Sequence, residues 1–310
     1  VESYAIAGRT PFAILGLTLT TLELLRRLAS TGLIGAVSGV FDDRNGELVD
    51  SLSVPVYPLS ALQDRGYSMI VVAEDQLKED VIRAALPFIK GVPRIVVAGY
   101  KHFEYRDAIF DQECEQLAVP SLANGYPEVL VHIYQCLVNC SRLGLSGVVA
   151  EFGMFKGGTT MLLSRFIERL GQSWPVVGFD TFGGFPAPAS PLDMYDNPEC
   201  VYEDISAVRR LLADRNVEIV VGNIVETCTR LSEEDVLLTF IDTDNFTSAK
   251  AIIDVVAERT VVGGAIIFDH FTGNERFRYT LGERMAAAPL LDDHRFFHLH
   301  GTGVFYRQCG

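Results

Sequence analysis

The sequence has no uninterrupted apolar run approaching the roughly 20 residues needed to cross a bilayer, and no basic stretch followed by an apolar core near its N-terminus. A soluble, cytoplasmic protein with no membrane partner is therefore expected. Its six cysteines, at 114, 136, 140, 200, 228 and 309, include no Cys-x-x-Cys pair, which argues against a zinc knuckle or a disulfide framework. Cys136 and Cys140 are expected as small buried thiols on a helix. Cations are also scarce: 26 Lys and Arg face 40 Asp and Glu, a net charge of −14. That field repels a polyanion and excludes a general role in coating DNA or RNA. No low-complexity tract or 20- to 50-residue repeat is visible. What remains is an ordinary globular composition, 48% hydrophobic and 21% charged over 310 residues. At about 150 residues per domain, this length gives two domains.

Short apolar runs alternate with helical patterns in both halves, the mark of parallel β/α units and an α/β fold. In the first half, Tyr4 to Ala7 reads as a strand and Phe12 to Ser30 as a helix. Ile34 to Phe41 reads as a second strand ending in Asp42 and Asp43. Further strands are expected at Ser68 to Ala73 and Pro93 to Ala98, with a helix over Asp80 to Ile89 between them. The period is lost from Tyr100 to Asn124. The boundaries expected are a small α/β domain over 1–110, a linker over 111–124 and a longer domain over 125–310. In the longer domain Pro127 to Leu143 reads as a helix, followed by strands at Val148 to Phe152, Val176 to Asp180, Glu218 to Val221, Leu237 to Asp242 and Ala265 to Asp269. Arg295 to Leu299 and Gly303 to Arg307 read as a closing antiparallel ribbon.

Chemistry is written at the strand ends. The run Val149-Ala150-Glu151-Phe152-Gly153-Met154-Phe155-Lys156-Gly157-Gly158-Thr159-Thr160 ends a buried strand in an acid and opens a helix through a glycine-rich turn. Glycines there are expected to let a ligand approach the helix N-terminus. Val177-Gly178-Phe179-Asp180 adds an acid at the next strand end, where doubly wound folds hold a ribose. The spacing G-x-x-x-G-G is not the dinucleotide pattern, which favours S-adenosylmethionine over NAD. Phe240-Ile241-Asp242-Thr243-Asp244 and Phe268-Asp269-His270-Phe271 then finish two more strands in ionisable groups. Buried carboxylates cost several kcal/mol unless paired or bound to a cation, so Asp242, Asp244, Asp269 and His270 are expected to form a site.

Four motifs in order, Glu151 to Gly158, Gly178 to Pro186, Phe240 to Asp244 and Val262 to Asp269, resemble the macrocin O-methyltransferase family. The resemblance covers roughly Pro127 to the C-terminus. It implies a class I methyltransferase with a Rossmann-like sheet, S-adenosylmethionine as donor, a divalent ion such as Mg2+, and sugar hydroxyls of natural products, as in antibiotic biosynthesis, as acceptors. It also implies Asp242 and Asp269 as metal ligands and Asp244 as a general base. That family usually follows the acid at position 269 with a second acid. Here His270 stands there, able to act as a further ligand or as the catalytic base. The donor-binding residues expected are Glu151, Phe152, Gly153, Met154, Lys156, Gly157, Thr159, Thr160, Asp180, Thr181, Phe182, Gly222, Asn223 and Asp242. Catalysis is assigned to Asp242, Asp244 and His270, and a metal to Asp242, Asp269 and His270. Phe182 to Asp204 is long enough to be a lid over the acceptor.

The front unit resembles the small Rossmann-like domain that precedes sugar O-acyltransferases. The resemblance rests on Ile6-Ala7-Gly8, Gly39 to Asp43, Val54 to Tyr57 and Met69 to Ala73. Its expected first loop, Gly8 to Ala13, lacks the second and third glycines, so a docking, dimerising or acceptor-orienting role is favoured over nucleotide binding. The partner expected is a small-molecule acceptor, with self-association into a homo-oligomer. Two other functions stay open: an N-methyltransferase, and a catalytically silent scaffold whose front domain holds a sugar nucleotide.

Overall fold

A computed structural model describes residues 11–43, 52–74, 77–98, 107–125, 128–272 and 277–310, with the backbone alone over 277–279. The chain divides into two compact units, Val1–Tyr105 and Arg106–Gly310.

The first unit is a five-stranded parallel sheet built from β1 (Phe12–Leu15), β2 (Val37–Phe41), β3 (Val56–Tyr57), β4 (Met69–Ala73) and β5 (Arg94–Ala98), in the order β3-β2-β1-β4-β5. Its helices include α1 (Leu19–Ser30) and α2 (Lys78–Ala85). The expected helix over Phe12 to Ser30 is split. Phe12, Ala13, Ile14 and Leu15 have no exposed surface and form the central strand, a position that selects a continuously apolar run. Gly16, at φ +92°, turns the chain, and Thr18 and Thr21 close a capping box at the start of α1. The expected loop Gly8 to Ala13 is therefore strand from Phe12 onward, and the first described turn is residues 16–18. Within that turn, the N–H of Leu17 donates to Asp42 Oδ2 at 2.7 Å. The expected strand Tyr4 to Ala7 and the motif at residues 6–8 lie outside the described residues.

The second unit begins earlier than expected. Residues 111–124, expected as linker, contain most of α3 (Ala108–Glu115), which Asp107 caps by accepting N–H bonds from Ile109 and Phe110. Two other helices follow, α4 (Val129–Arg142) and α5 (Gly158–Arg169). Buried Glu113 pairs with Arg165 and lies 3.6 Å from the Nε of Arg169, tying α3 to α5. Phe110 stacks on Phe166, with ring centroids 5.7 Å apart.

The strands of this unit are β6 (Val148–Phe152), β7 (Val176–Asp180), β8 (Val217–Val221), β9 (Val236–Ile241), β10 (Thr260–Phe268), β11 (Phe296–His298) and β12 (Val304–Arg307). They form a seven-stranded sheet in the order β11-β12-β10-β9-β6-β7-β8. Five strands are parallel, and the closing ribbon joins β10 antiparallel through β12. This is a Rossmann-like, doubly wound sheet. The remaining helices are α6 (Ile205–Leu211), α7 (Ile224–Thr227), α8 (Phe246–Arg259) and α9 (Phe277–Asp292). Strand order reverses between β6 and β9, and in such sheets the crevice outside the carboxyl ends at the reversal binds ligands. The core on both faces is aliphatic and aromatic, with Phe152 stacked on Phe179 at 4.3 Å. Cys136 and Cys140 are buried in it, and burial pushes the Cys136 thiol up to about 12.

Candidate active site

The crevice at the β6/β9 reversal opens into a cavity of about 830 Å3, within the range of small-molecule sites. Its first wall is the β6–α5 turn. Buried Glu151, next to last in β6, accepts a 2.5 Å bond from the hydroxyl of Thr160; burial pushes its carboxyl up to about 8, partly offset by that bond. Gly153 sits at φ +93°, and a Cβ there would overlap the carbonyl of Asp242. A Cβ on Gly158 would overlap the carbonyl of Pro120. The glycines thus make room first for the protein's own backbone, where the sequence reading expected room for a ligand.

Asp180 ends β7 and organises the second wall. Its Oδ2 accepts the N–H of Phe155 at 2.7 Å and its Oδ1 that of Phe182 at 2.6 Å. Both phenylalanines lie at positive φ, +49° and +57°, which costs roughly 1–2 kcal/mol each. One carboxylate therefore holds two strained turns in place. Burial raises the Asp180 pKa against the pull of those bonds. A carboxylate has about four lone-pair sites, so Asp180 retains acceptor capacity toward the cavity it lines.

The third wall is the ionisable cluster. His270 Nε2 lies 3.1 Å from Asp244 Oδ1, 3.3 Å from Asp269 Oδ2 and 3.6 Å from Asp242 Oδ1. Burial pulls the His270 pKa down, but the bond to Asp244 and the charges of Glu283, Asp269 and Asp244 outweigh it, and the imidazole is pushed up to about 9. Asp242 is held well above the carboxylate range by burial and by the neighbouring charges of Asp269 and Asp244. Asp269 is raised too, chiefly by burial. Its Oδ1 accepts the N–H groups of Asn124 at 2.9 Å and Gly125 at 2.8 Å, whereas its buried Oδ2 accepts no hydrogen bond.

Beneath the cluster lies Glu283 of α9, without exposed surface. Its Oε1 accepts the N–H groups of Thr243 and Asp244, each at 2.7 Å, and its Oε2 that of His270 at 3.1 Å. Those bonds steady Asp244 at φ +61°. Burial raises Glu283 to about 7, against the opposing pull of His270. No sequence motif marks Glu283.

Of the expected donor-binding residues, Glu151, Gly153, Met154, Lys156, Thr159, Asp180, Thr181 and Asp242 line the cavity. Phe152, Gly157, Thr160, Phe182, Gly222 and Asn223 do not. Phe152 is packed in the core, Thr160 serves Glu151, and Asn223 caps α7 through the N–H of Val225. For the metal, the structure brings Asp244 together with Asp242 and His270, all three offering ligand atoms within 4.8 Å of one another. Asp244 was expected only as a base. The segment read as linker supplies a wall through Pro120, Leu122, Ala123 and Asn124.

Residues 182–204, read as a lid, contribute Phe185, Pro186, Tyr195, Asn197, Glu199 and Cys200. They are tethered twice to the start of α8. Asp193 accepts from the N–H and hydroxyl of Thr247, and the Asn245 side chain bonds both the N–H and the carbonyl of Tyr195.

Residues 125–308, more than half of the chain, match the family model described as macrocin-O-methyltransferase (TylF). No curated protein matches the chain. Among solved structures, it is similar to the O-methyltransferase NovP, with 18% identity over 58% of this chain and 79% of that one and a TM-score of 0.48. It is also similar to CalS11, a calicheamicin methyltransferase, with 19% identity over 69% of this chain and 99% of that one and a TM-score of 0.45. The SAH-bound methyltransferase PaMTH1 of Podospora anserina is 13% identical over 68% and 100% of the two chains, with a TM-score of 0.39.

Proposed function

The chain belongs to the macrocin-O-methyltransferase family and is an S-adenosylmethionine-dependent methyltransferase; from that premise we propose that it methylates a hydroxyl of a sugar or a glycosylated small molecule with the help of a divalent ion. The observation that carries this reading is the meeting of Asp242, Asp244 and His270 beside the β6–α5 turn, in one cavity, with the buried Asp269 carboxylate 3.3 Å from His270 Nε2.

Bound in the cavity, S-adenosylmethionine supplies an electrophilic methyl group. Asp180 gives its end of the cavity an acid suited to a cationic donor and offers its remaining lone pairs to ribose hydroxyls, beside the buried carboxyl of Glu151. Residues 182–200 and 120–124 wall the acceptor side and exclude water from it.

The residues present fit a divalent ion. Asp242, Asp244 and His270 offer ligand atoms within 4.8 Å of one another, and Asp269 Oδ2, 3.3 Å from His270 Nε2, is a buried oxygen without a hydrogen bond. Asp242, Asp244, Asp269 and His270 would hold the ion, which supplies Lewis acidity that lowers the pKa of an acceptor hydroxyl. The second carboxylate oxygen of Asp244 takes the acceptor proton. Asp242 orients the hydroxyl for in-line attack, since alignment rather than activation of the donor is the protein's task.

Two substitutions separate donor binding from chemistry. Asp180→Ala is expected to weaken S-adenosylhomocysteine binding about a hundredfold, or ~2.7 kcal/mol, because the Phe155 and Phe182 turns lose their common acceptor. Asp242→Asn is expected to keep that affinity within about threefold and to lower turnover roughly a hundredfold. Calorimetry with S-adenosylhomocysteine and a methyl-transfer assay read the two effects. Wild-type affinity in Asp180→Ala, or wild-type turnover in Asp242→Asn, contradicts the assignment.

A further inference from the structure

Resting on the metal-assisted reading, we propose that this site selects a transition ion of the iron-to-zinc series over Mg2+, with His270 as a nitrogen ligand. His270 Nε2 points into the space bounded by Asp244 Oδ1, Asp269 Oδ2 and Asp242 Oδ1, at 3.1, 3.3 and 3.6 Å. Donor atoms roughly 2.1 Å from a common ion stand about 3 Å apart at right angles and about 4 Å apart when opposed, and Asp242, Asp244 and His270 offer ligand atoms within 4.8 Å of one another, close enough to gather on one ion.

Three features hold the imidazole toward that space, where a bound ion would displace the proton Nε2 shares with Asp244. The backbone N–H of His270 is tied to Glu283 Oε2 at 3.1 Å, which sets where the residue leaves β10. Its side chain is only 12% exposed, so it has little room to turn away. Asp269, 1% exposed, spends Oδ1 on the N–H groups of Asn124 and Gly125 and aims Oδ2 at the same space without a hydrogen bond. Glu283 is not among the residues whose ligand atoms converge there, its oxygens being turned to the backbone N–H groups of Thr243, Asp244 and His270.

One imidazole with three carboxylates is a mixed nitrogen and oxygen set. Mg2+ takes oxygen ligands and retains its waters, so exchanging one of them for imidazole gains it little. Iron, cobalt, nickel and zinc gain from imidazole nitrogen, with affinities that rise from iron through cobalt and nickel to a maximum at copper and fall again at zinc. Every carboxylate site favours these ions to some degree, so the part due to His270 is the drop in preference when the nitrogen is replaced by oxygen.

The test uses the full chain without donor or acceptor. Co2+ and Mg2+ affinities are measured by calorimetry for the wild type and for His270→Asp, and the Mn2+-loaded wild type is examined by pulsed EPR. The expected results are a Co2+ over Mg2+ preference at least tenfold smaller in His270→Asp, and a 14N modulation from one imidazole in the wild type. The EPR measurement needs no variant, so it decides the question even if His270→Asp does not fold. An unchanged preference, absent nitrogen modulation, or failure of both ions to bind overturns the proposal. Binding of S-adenosylhomocysteine, measured in parallel, shows whether the methyltransferase reading stands independently.

Discussion

Glu283→Ala is expected to lower methyl transfer about a thousandfold and to destabilise the second unit by roughly 4 kcal/mol, although the side chain has no exposed surface. The cause is the number of donors that depend on it. The N–H groups of Thr243, Asp244 and His270 all end on this one carboxylate. Each buried donor left without an acceptor costs about 1–3 kcal/mol, and relaxation recovers part of the sum. Asp244 would also lose the contact that steadies its left-handed backbone, and with it the direction of its carboxylate. Glu283→Gln separates positioning from folding. It keeps the volume and one acceptor oxygen but turns an NH2 group toward a backbone donor, so it should fold and lose about tenfold to a hundredfold in turnover. Thermal unfolding, S-adenosylhomocysteine affinity and turnover, taken together on both variants, read these effects. An alanine variant with near-wild-type turnover would refute the positioning role.

Gly153→Ala should be of similar severity for a different reason. The residue sits at φ +93°, outside the range that a residue with a Cβ adopts comfortably, and its Cβ would overlap the Asp242 carbonyl. That carbonyl cannot retreat cheaply. Asp242 is locked to β6, its N–H bonded to the Phe152 carbonyl at 2.9 Å, and the next residue is already held by Glu283. We expect a loss of about 4 kcal/mol or more in stability, since backbone strain and overpacking add. Donor binding should fall with it, because β6 and β9 must move apart at the reversal point. Gly32→Ala serves as the control: φ there is +73°, but no atom lies within 4 Å of a built Cβ, so only the conformational cost of about 1–2 kcal/mol should appear. Denaturant unfolding of the two variants measures the difference, and equal losses would remove the role of the Asp242 contact.

Both residues bear on what a reader of the sequence alone can reach. The strand-end acids were legible, because Glu151, Asp180, Asp242 and Asp269 each follow a buried apolar run, and parallel strands deliver such ends to one crevice. Glu283 was not, since it lies inside a helix with no local pattern and acquires its role only when α9 packs under the β9 and β10 ends. The later part of the expected linker over 111–124 is hard to read for a related reason. It lacks any period, yet Asn124 bonds Asp269, as does the adjoining Gly125, and the Ser121 hydroxyl meets that of Thr159 at 2.7 Å. In the front unit, Phe12 to Leu15 runs without a polar residue into the amphipathic pattern of α1. Only Gly16 and the Thr18 cap mark the break between them.

The proposed site is a donor cradle set by Asp180 and an ionisable cluster set by Glu283, joined where Gly153 lets β6 and β9 close together. Its central claim is that a methyl group passes from S-adenosylmethionine to a hydroxyl oxygen. The most direct measurement incubates the chain with S-adenosylmethionine carrying a 13C-methyl group and a panel of glycosides, and reads the products by NMR. The account predicts a methyl resonance in the methoxy region on a sugar carbon, formed in step with S-adenosylhomocysteine. An N-methyl resonance, or bound donor with no transfer to any hydroxyl in the panel, would contradict it.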